Sequence, residues 1–427
     1  MIKKILHTLI TKILYSLLGF LIIILISQNL GAIGKGEQAL FLLNMVLLLL
    51  FATLIGNSTL IYLTPRYKFS HLFFPSLLWI ISSLILVFLI WYFLSLQFPK
   101  ITIKHPIELL IITFFASITE INAFILIGKE KIHQANNLKL ISQIILFLIL
   151  LSLSLFGAFT KSYQYVIALI LGYSISFIYG IYLLKEEYFN LTIPTKKEFK
   201  EMFKELFRLG AVKQIGSLAQ QLNSRFSFFL ISFYVGKGAL GVFSNSISLS
   251  EFVLMFGTSL ALVQYSRLSN SQDKNYANKL TLSMTKLNLI FTFVSLCVLS
   301  FLPASFYTLL FGQEFAQVKP LIQYLFLGIL LLSISSTFTQ YFASKGNFKI
   351  SATASVLSLA ITIVLGLVLI PRYGIIGAAL TTVASYTLSF AVEYYYFKKW
   401  TNTKLKDFLI SKQDLRDFKT LINPNKL

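Results

Sequence analysis

Charged residues are scarce in this chain, and acidic residues are scarcer than basic ones. Only 12% of the 427 residues are charged and 56% are hydrophobic, with 16 acidic residues against 37 lysines and arginines. A soluble protein of this length would carry about twice that charged fraction. The shortage indicates a polytopic α-helical membrane protein. Because the lysines and arginines fall between apolar runs, the net charge of +21 reflects membrane topology and not a nucleic-acid partner.

Residues that could build a disulfide framework, a metal centre or a catalytic site are also missing. Cys297 is the only cysteine, and the four histidines are scattered over different segments. We therefore expect no disulfide within the chain and no metal site. No GxxxxGK[ST] phosphate-binding loop occurs, which disfavours an ATPase. The outer loops are too short to hold a catalytic domain, so we expect a protein that is not an enzyme and uses no cofactor.

Long apolar runs account for most of the chain. They are continuous rather than alternating, and too long for the strands of a membrane barrel, so they predict transmembrane helices. The twelve predicted spans are Ile13–Leu30, Ala39–Leu63, Leu72–Leu96, Ile107–Ile127, Leu138–Phe159, Gln164–Leu184, Gly210–Val235, Ala239–Tyr265, Leu282–Leu302, Pro320–Ala343, Ser351–Ile370 and Ile375–Phe397.

The distribution of basic residues predicts the orientation. With the N-terminus inside, the inner segments hold 29 lysines and arginines, and the outer loops hold 7. Short loops rich in lysine and arginine stay in the cytoplasm. We therefore predict that both termini are cytoplasmic and that the number of spans is even.

Two short matches suggest an internal repeat. Gly34–Gly36, between spans one and two, reads Gly-Lys-Gly, as does Gly236–Gly238 between spans seven and eight. A looser match pairs the Gly128–Lys131 connection with the Gly346–Lys349 connection. Each pair holds the same topological position, which favours a duplication of six spans with both halves in the same orientation.

The repeat and the polar segments predict four regions. Residues 1–190 form an N-terminal six-helix lobe, and residues 210–399 form a C-terminal one. Residues 191–209 form an amphipathic cytoplasmic linker helix, which starts at a capping-box pattern of Thr195 and Glu198. Residues 400–427 form a basic cytoplasmic tail that could contact anionic lipid headgroups.

The seventh span, Gly210–Val235, carries most of the candidate site. Lys213, Ser217, Gln221 and Arg225 are four residues apart and share one helix face, and Asn223 lies close by. An ionised side chain as deep as Arg225 costs about 3 kcal/mol on insertion scales. Such a residue either binds an anionic substrate, or it is hydrogen-bonded to backbone carbonyls or paired with a buried glutamate.

Polar residues in other spans complete the list of candidates. A carboxylate in the membrane must be protonated or partnered, so Glu120 and Glu251 are candidates for ion coupling. Glu251 lies on the helix after Arg225 at comparable depth, and an ion pair between them is plausible. Asn44 in the second span and Lys286 near the ninth are further candidates for substrate contact.

Several motifs together resemble the Wzx-type polysaccharide flippases of the multidrug/oligosaccharidyl-lipid/polysaccharide exporter superfamily. The resemblance covers nearly the whole chain, and each motif alone is degenerate. The motifs are the hairpin Asn29–Leu40, the hairpin Val235–Phe243, and the segments Leu310–Phe315, Ala343–Asn347 and Arg372–Leu380. The lipid II flippases of the same superfamily resemble the chain less, because spans one and two hold no cation within the membrane.

The resemblance implies an all-α, MATE-like fold with two six-helix lobes forming a V. It implies a flippase of the bacterial inner membrane that moves undecaprenyl-pyrophosphate-linked oligosaccharide outward, as in O-antigen and lipopolysaccharide biosynthesis. Arg225 would bind the pyrophosphate, helped by Lys213 and Lys286, while Gln221 and Asn223 would contact sugar hydroxyls. A glycan polymerase and glycosyltransferases of the same pathway would be its partners, alongside membrane lipids.

Four other functions stay open at this point, and the first is a lipid II-type flippase of the same superfamily. A cation-coupled multidrug exporter would place Glu120 or Glu251 centrally and Arg225 remotely. A membrane glycosyltransferase or glycan polymerase would need a larger loop for catalysis. A scaffold without transport activity is compatible with the repeat but does not explain charge within the membrane.

Overall fold

The computed structural model describes residues 2–56, 59–97, 104–269 and 273–408. Helices make up almost all of this part of the chain, and none of it forms a strand. The described residues fall into two compact units that divide between Leu218 and Ala219. The all-α membrane class is confirmed.

The first unit contains seven helices and the beginning of an eighth. They are α1 Ile2–Ala52, α2 Thr59–Leu63, α3 Phe69–Gln97, α4 Pro106–Gly128, α5 Ile132–Leu155, α6 Ser162–Leu183, α7 Lys185–Phe189 and α8 Lys196–Tyr234. Helices α4, α5 and α6 pack on one another and on α1. Fully buried apolar side chains such as Ile26, Ile112 and Leu138 fill the space between them.

The second unit contains the end of α8 and five further helices. They are α9 Lys237–Ser269, α10 Lys274–Phe301, α11 Ala304–Phe311, α12 Val318–Ser344 and α13 Phe348–Thr401. Helix α12 lies at the centre of this unit, packed against α9, α10 and α13. Near one end of the unit, Phe338 stacks on Phe397, and Phe408 packs against both rings.

Nine helices in the described residues are long and apolar enough to cross a membrane. Two of them, α1 and α13, contain a glycine with non-helical geometry and so account for two predicted spans each. The remaining predicted span lies in α8, whose polar side chains keep it below this apolar threshold. The structure therefore accommodates all twelve predicted spans.

Two predicted boundaries differ from the structure. The second span was expected to run to Leu63, but α1 ends at Ala52, before Gly56 adopts φ 134°. The linker helix and the seventh span were expected as separate helices, but α8 runs through both. The predicted capping box is present at its start, since Thr195 N and Oγ1 donate to Glu198 at 2.8 and 2.7 Å. These bonds hold the pKa of Glu198 below its ordinary value.

Breaks between helices recur in the same order in both halves. Among the described residues, five positions in each half adopt positive φ, a conformation that L side chains rarely take, and three of these positions lie at matching connections in the two halves. At the pair formed by Glu130 and Gly346, both turns contain the same type of backbone hydrogen bond, from an amide to the carbonyl five residues earlier. Lys131 N donates to Leu126 O at 2.8 Å, and Asn347 N donates to Phe342 O at 2.9 Å. The three pairs are Gly31 and Gly236, Glu130 and Gly346, and Gly157 and Gly374.

The first break is not where the repeat motif placed it. Gly31 has φ 64° and ψ −169°, a combination essentially restricted to glycine, so the chain changes direction three residues before Gly34. Lys35 consequently lies in a helix rather than in an exposed turn. It is only 3% exposed and donates to Gln38 Oε1 at 2.6 Å.

Most of the predicted basic tail, residues 409–427, lies outside the described residues.

Candidate functional site

Arg225 on α8 forms an ion pair with Glu251 on α9. Its Nη2 donates to Glu251 Oε2 at 2.6 Å, and both side chains are about a quarter exposed, 24% and 29%. The guanidinium also lies 5.1 Å from the centre of the Phe228 ring, one turn further along α8. The ion pair that the sequence made plausible is therefore present.

This pairing changes what Arg225 can do. An isolated charge at this depth is costly, and a partner carboxylate offsets much of that cost. A guanidinium has five N–H donors, more than one carboxylate can engage, so it can bind Glu251 and a phosphate oxygen together. The pair is compatible with both interpretations of Arg225, as a structural residue and as an anion contact.

Asn223 lies two residues before Arg225 and joins α8 to both halves of α13. Its Oδ1 accepts from Thr362 Oγ1 at 2.8 Å and from Ser385 Oγ at 2.7 Å. Thr362 precedes the break at Gly374, and Ser385 follows it. These two contacts link α8 to α13 on both sides of that break, an arrangement that the sequence did not suggest.

The remaining candidates for substrate contact are divided between the units. Gln221 is half-buried on α8 in the second unit, and Lys286 is half-buried on α10. Ser217 and Asn44 are half-buried in the first unit, while the side chain of Lys213 lies outside the described part. Their assignment to a substrate site stays a prediction.

Glu120 is also paired with a cation. Lys139 Nζ on α5 lies 2.7 and 3.0 Å from the two carboxylate oxygens of Glu120 on α4. Lys139 is the second residue of the fifth predicted span, and it lies two turns into α5 because that helix already begins at Ile132. Both candidates for ion coupling are therefore neutralised by a basic neighbour.

Glu393, a further carboxylate within a predicted span, was not recognised from the sequence. Glu393 on α13 is 2% exposed and accepts from the hydroxyls of Ser335 and Thr339 on α12, the latter at 2.8 Å. It lies between Val392 and Tyr394, near the end of the twelfth predicted span. A single acidic residue within that apolar run was the available signal.

Comparison with known proteins decides the family. The profile of the family described as "Lipid II flippase MurJ" matches residues 66–421. The chain belongs to this family. The prediction of a lipid flippase of the exporter superfamily is confirmed at this level. The family that matches is that of the lipid II flippases, which the motifs ranked below the Wzx type.

Individual relatives of the MurJ-family chain are named for polysaccharide and glycan biosynthesis. It is 25% identical over 216 residues to a capsular polysaccharide biosynthesis protein of Staphylococcus aureus, covering 50% of this chain and 54% of that protein. It is 21% identical over 255 residues to a probable low-salt glycan biosynthesis flippase of Haloferax volcanii, covering 56% and 53%. The matches thus span about half the length of these curated relatives.

Solved structures show the same fold. A lipid II flippase MurJ in an inward closed conformation superposes with a TM-score of 0.75 at 20% identity, covering 97% of this chain and 91% of that one. An inward-facing multidrug resistance MATE family transporter gives 0.70 at 13% identity, covering 91% and 94%. At these identities the likeness concerns the fold alone.

Proposed function

We propose that this MurJ-family protein moves an undecaprenyl-pyrophosphate-linked oligosaccharide from the cytoplasmic to the periplasmic leaflet of a bacterial inner membrane by alternating access. The observation that carries the proposal is the Arg225–Glu251 ion pair within a span of the second unit. Membership of a lipid flippase family and relatives named for polysaccharide and glycan biosynthesis support the substrate class.

Arg225 is the group that would bind the pyrophosphate. In the resting protein Glu251 neutralises the guanidinium, which lowers the cost of holding a cation at this depth. A pyrophosphate is a second anion that competes with Glu251 or shares the remaining donors of the guanidinium. Hydrogen bonds to charged groups contribute about 1.5–3 kcal/mol, so loss of this contact reduces transport about 10- to 100-fold.

Lipid II itself is the second candidate substrate, because the family profile is that of lipid II flippases. Both candidates carry a polyprenyl pyrophosphate, and the proposed role of Arg225 is the same for both. They differ in the glycan, so the substrate is decided by complementation. A strain lacking its surface-glycan flippase and a strain depleted of its lipid II flippase, each expressing this chain, separate the two.

The topology and partners follow from the same proposal. Both termini lie in the cytoplasm, as the distribution of basic residues favours. The glycosyltransferases that build the oligosaccharide act before the flippase, and the glycan polymerase acts after it. The protein itself performs no covalent chemistry, and the oligosaccharide repeat unit, O-antigen or capsular, is set by the pathway around it.

The test is substitution of Arg225 in cells whose surface glycan depends on this gene. Arg225→Ala reduces surface glycan about 10- to 100-fold when cells with equal protein levels are compared, and Arg225→Lys restores part of it. Arg208→Ala removes an exposed arginine from the same helix and serves as the matched control, with normal glycan. Normal glycan in the Arg225→Ala cells would defeat the assigned role.

A further inference from the structure

The three membrane carboxylates identified above differ in how their charge is neutralised. Glu120 is paired with Lys139, and Glu251 is paired with Arg225. None of the ion pairs among the described residues includes Glu393, although it is more deeply buried than either of the others. Its partners are neutral hydroxyls.

An ionised carboxylate in this position is costly. Burial of a carboxylate without a cation disfavours the charged form, and neutral hydroxyl donors offset only part of that penalty. The Ser335 and Thr339 hydroxyls reach different oxygens of the carboxyl group, and Ser351 Oγ lies 3.5 Å from Thr339 Oγ1. A protonated carboxyl can reverse one of these bonds and donate to a hydroxyl oxygen, so the hydroxyls fit both protonation states.

Other ionisable groups on the packed helices do not neutralise Glu393. Tyr341 on α12 donates to Asn278 on α10 at 3.2 Å, and Tyr394 on α13 stacks on Phe390. On α9, Glu251 is held by Arg225. None of the ion pairs among the described residues joins Arg267, in the last turn of that helix, to Glu393. The lysines just after α12, at both ends of α13 and in the short turn after α13 are exposed. They are Lys345, Lys349, Lys398, Lys399 and Lys406.

The site lies within reach of one end of the second unit. Glu393 is eight residues before the end of α13, about 12 Å along the helix, and Thr339 is five residues before the end of α12. Ser351 lies in the first turn of α13. A proton from water at that end therefore has only two or three helical turns to cross.

We propose that Glu393 is a proton-binding site of this protein, held by the hydroxyls of Ser335 and Thr339. The carboxylate takes up one proton from water at the adjacent end of the unit and becomes a neutral carboxyl group. It releases the proton to water when water reaches the hydroxyls of Ser335 and Thr339. Proton binding does not depend on the identity of the transported lipid. Its use in driving transport rests on the proposed function.

Infrared difference spectroscopy of the full chain in lipid nanodiscs tests the site directly. The wild-type protein shows the carbonyl band of a buried carboxylic acid, which is lost reversibly as pH is raised. Glu393→Gln removes this band, whereas Glu251→Gln, the control with a paired carboxylate, retains it. An unchanged band in Glu393→Gln overturns the proposal, as does loss of the wild-type band when sodium is added at constant pH.

A milder variant covers the case in which Glu393→Gln does not fold. Thr339→Val keeps the shape of the side chain and removes one hydroxyl, so the carbonyl band moves to higher frequency because it loses a hydrogen bond. A band that does not move contradicts the assignment to Glu393. In transport assays, Glu393→Gln flattens the pH dependence. Absence of transport in the wild type would instead refute the proposed function and leave the infrared result standing.

Discussion

Arg225 and Glu251 are joined by a 2.6 Å hydrogen bond although 26 positions separate them in the chain. The pair connects α8 to α9, two helices that meet at the break at Gly236. This salt bridge restrains how the two helices are arranged at the turn. It also determines how much of the positive charge of Arg225 is available to bind an anion.

A double-mutant cycle separates these two roles. Arg225→Ala leaves Glu251 without its cation and destabilises the protein by about 1–3 kcal/mol, less than for a fully buried pair because each side chain is about a quarter exposed. The double variant Arg225→Ala, Glu251→Ala is more stable than Arg225→Ala alone. Thermal unfolding in detergent measures both. Strictly additive effects would show that the pair is not coupled.

The pair of Glu120 and Lys139 predicts a structural effect without an effect on pH dependence. Glu120→Gln lowers the melting temperature, because Lys139 loses its carboxylate, and leaves the pH profile of transport unchanged. The half-exposed lysine limits the loss to about 1 kcal/mol or less. The reversed pair, Glu120→Lys with Lys139→Glu, regains stability relative to either single change. A shifted pH profile in Glu120→Gln would restore this residue as a candidate for ion coupling.

Replacing Gly374 by alanine is expected to destabilise the protein only through backbone strain. Its φ of 58° and ψ of −133° are strained for any L side chain, while a Cβ added there would meet only Val235, at the ordinary distance of 3.8 Å. Gly374→Ala therefore destabilises the protein by about 1–3 kcal/mol through the backbone alone. Gly19→Ala is the control, since Gly19 is helical and a Cβ there would meet only Gln143, at 3.4 Å. Equal unfolding temperatures for the two variants would contradict this explanation.

The single cysteine makes the topology easy to test. In a Cys297→Ser background, a cysteine placed at exposed Thr160 reacts with an impermeant maleimide added to whole cells. A cysteine at Ile193, which is 86% exposed, reacts only after the cells are opened. The reverse pattern would place both termini outside and refute the orientation predicted from lysine and arginine.

Sequence patterns sufficed to identify the helices of membrane length and to pair Arg225 with Glu251. Apolar runs of membrane length are an unambiguous signal, and two residues on adjacent helices at equal depth, such as Arg225 and Glu251, can be paired by counting from the turn. The register of the first turn was wrong because Gly31, Gly34 and Gly36 are all glycines, and only backbone angles distinguish the one that breaks the helix. Contacts between distant helices, such as those of Asn223 with Thr362 and Ser385, leave no signal in a single sequence.

The matched breaks at Gly31 and Gly236, Glu130 and Gly346, and Gly157 and Gly374 bear on how such a chain could have arisen. A half-length ancestor with an even number of crossings would have inserted in one direction, so a tandem fusion of two copies needed no inversion and no extra helix. The two halves differ in where they place charge. In the first half a lysine–glutamate pair joins α4 and α5, and in the second an arginine–glutamate pair joins α8 and α9.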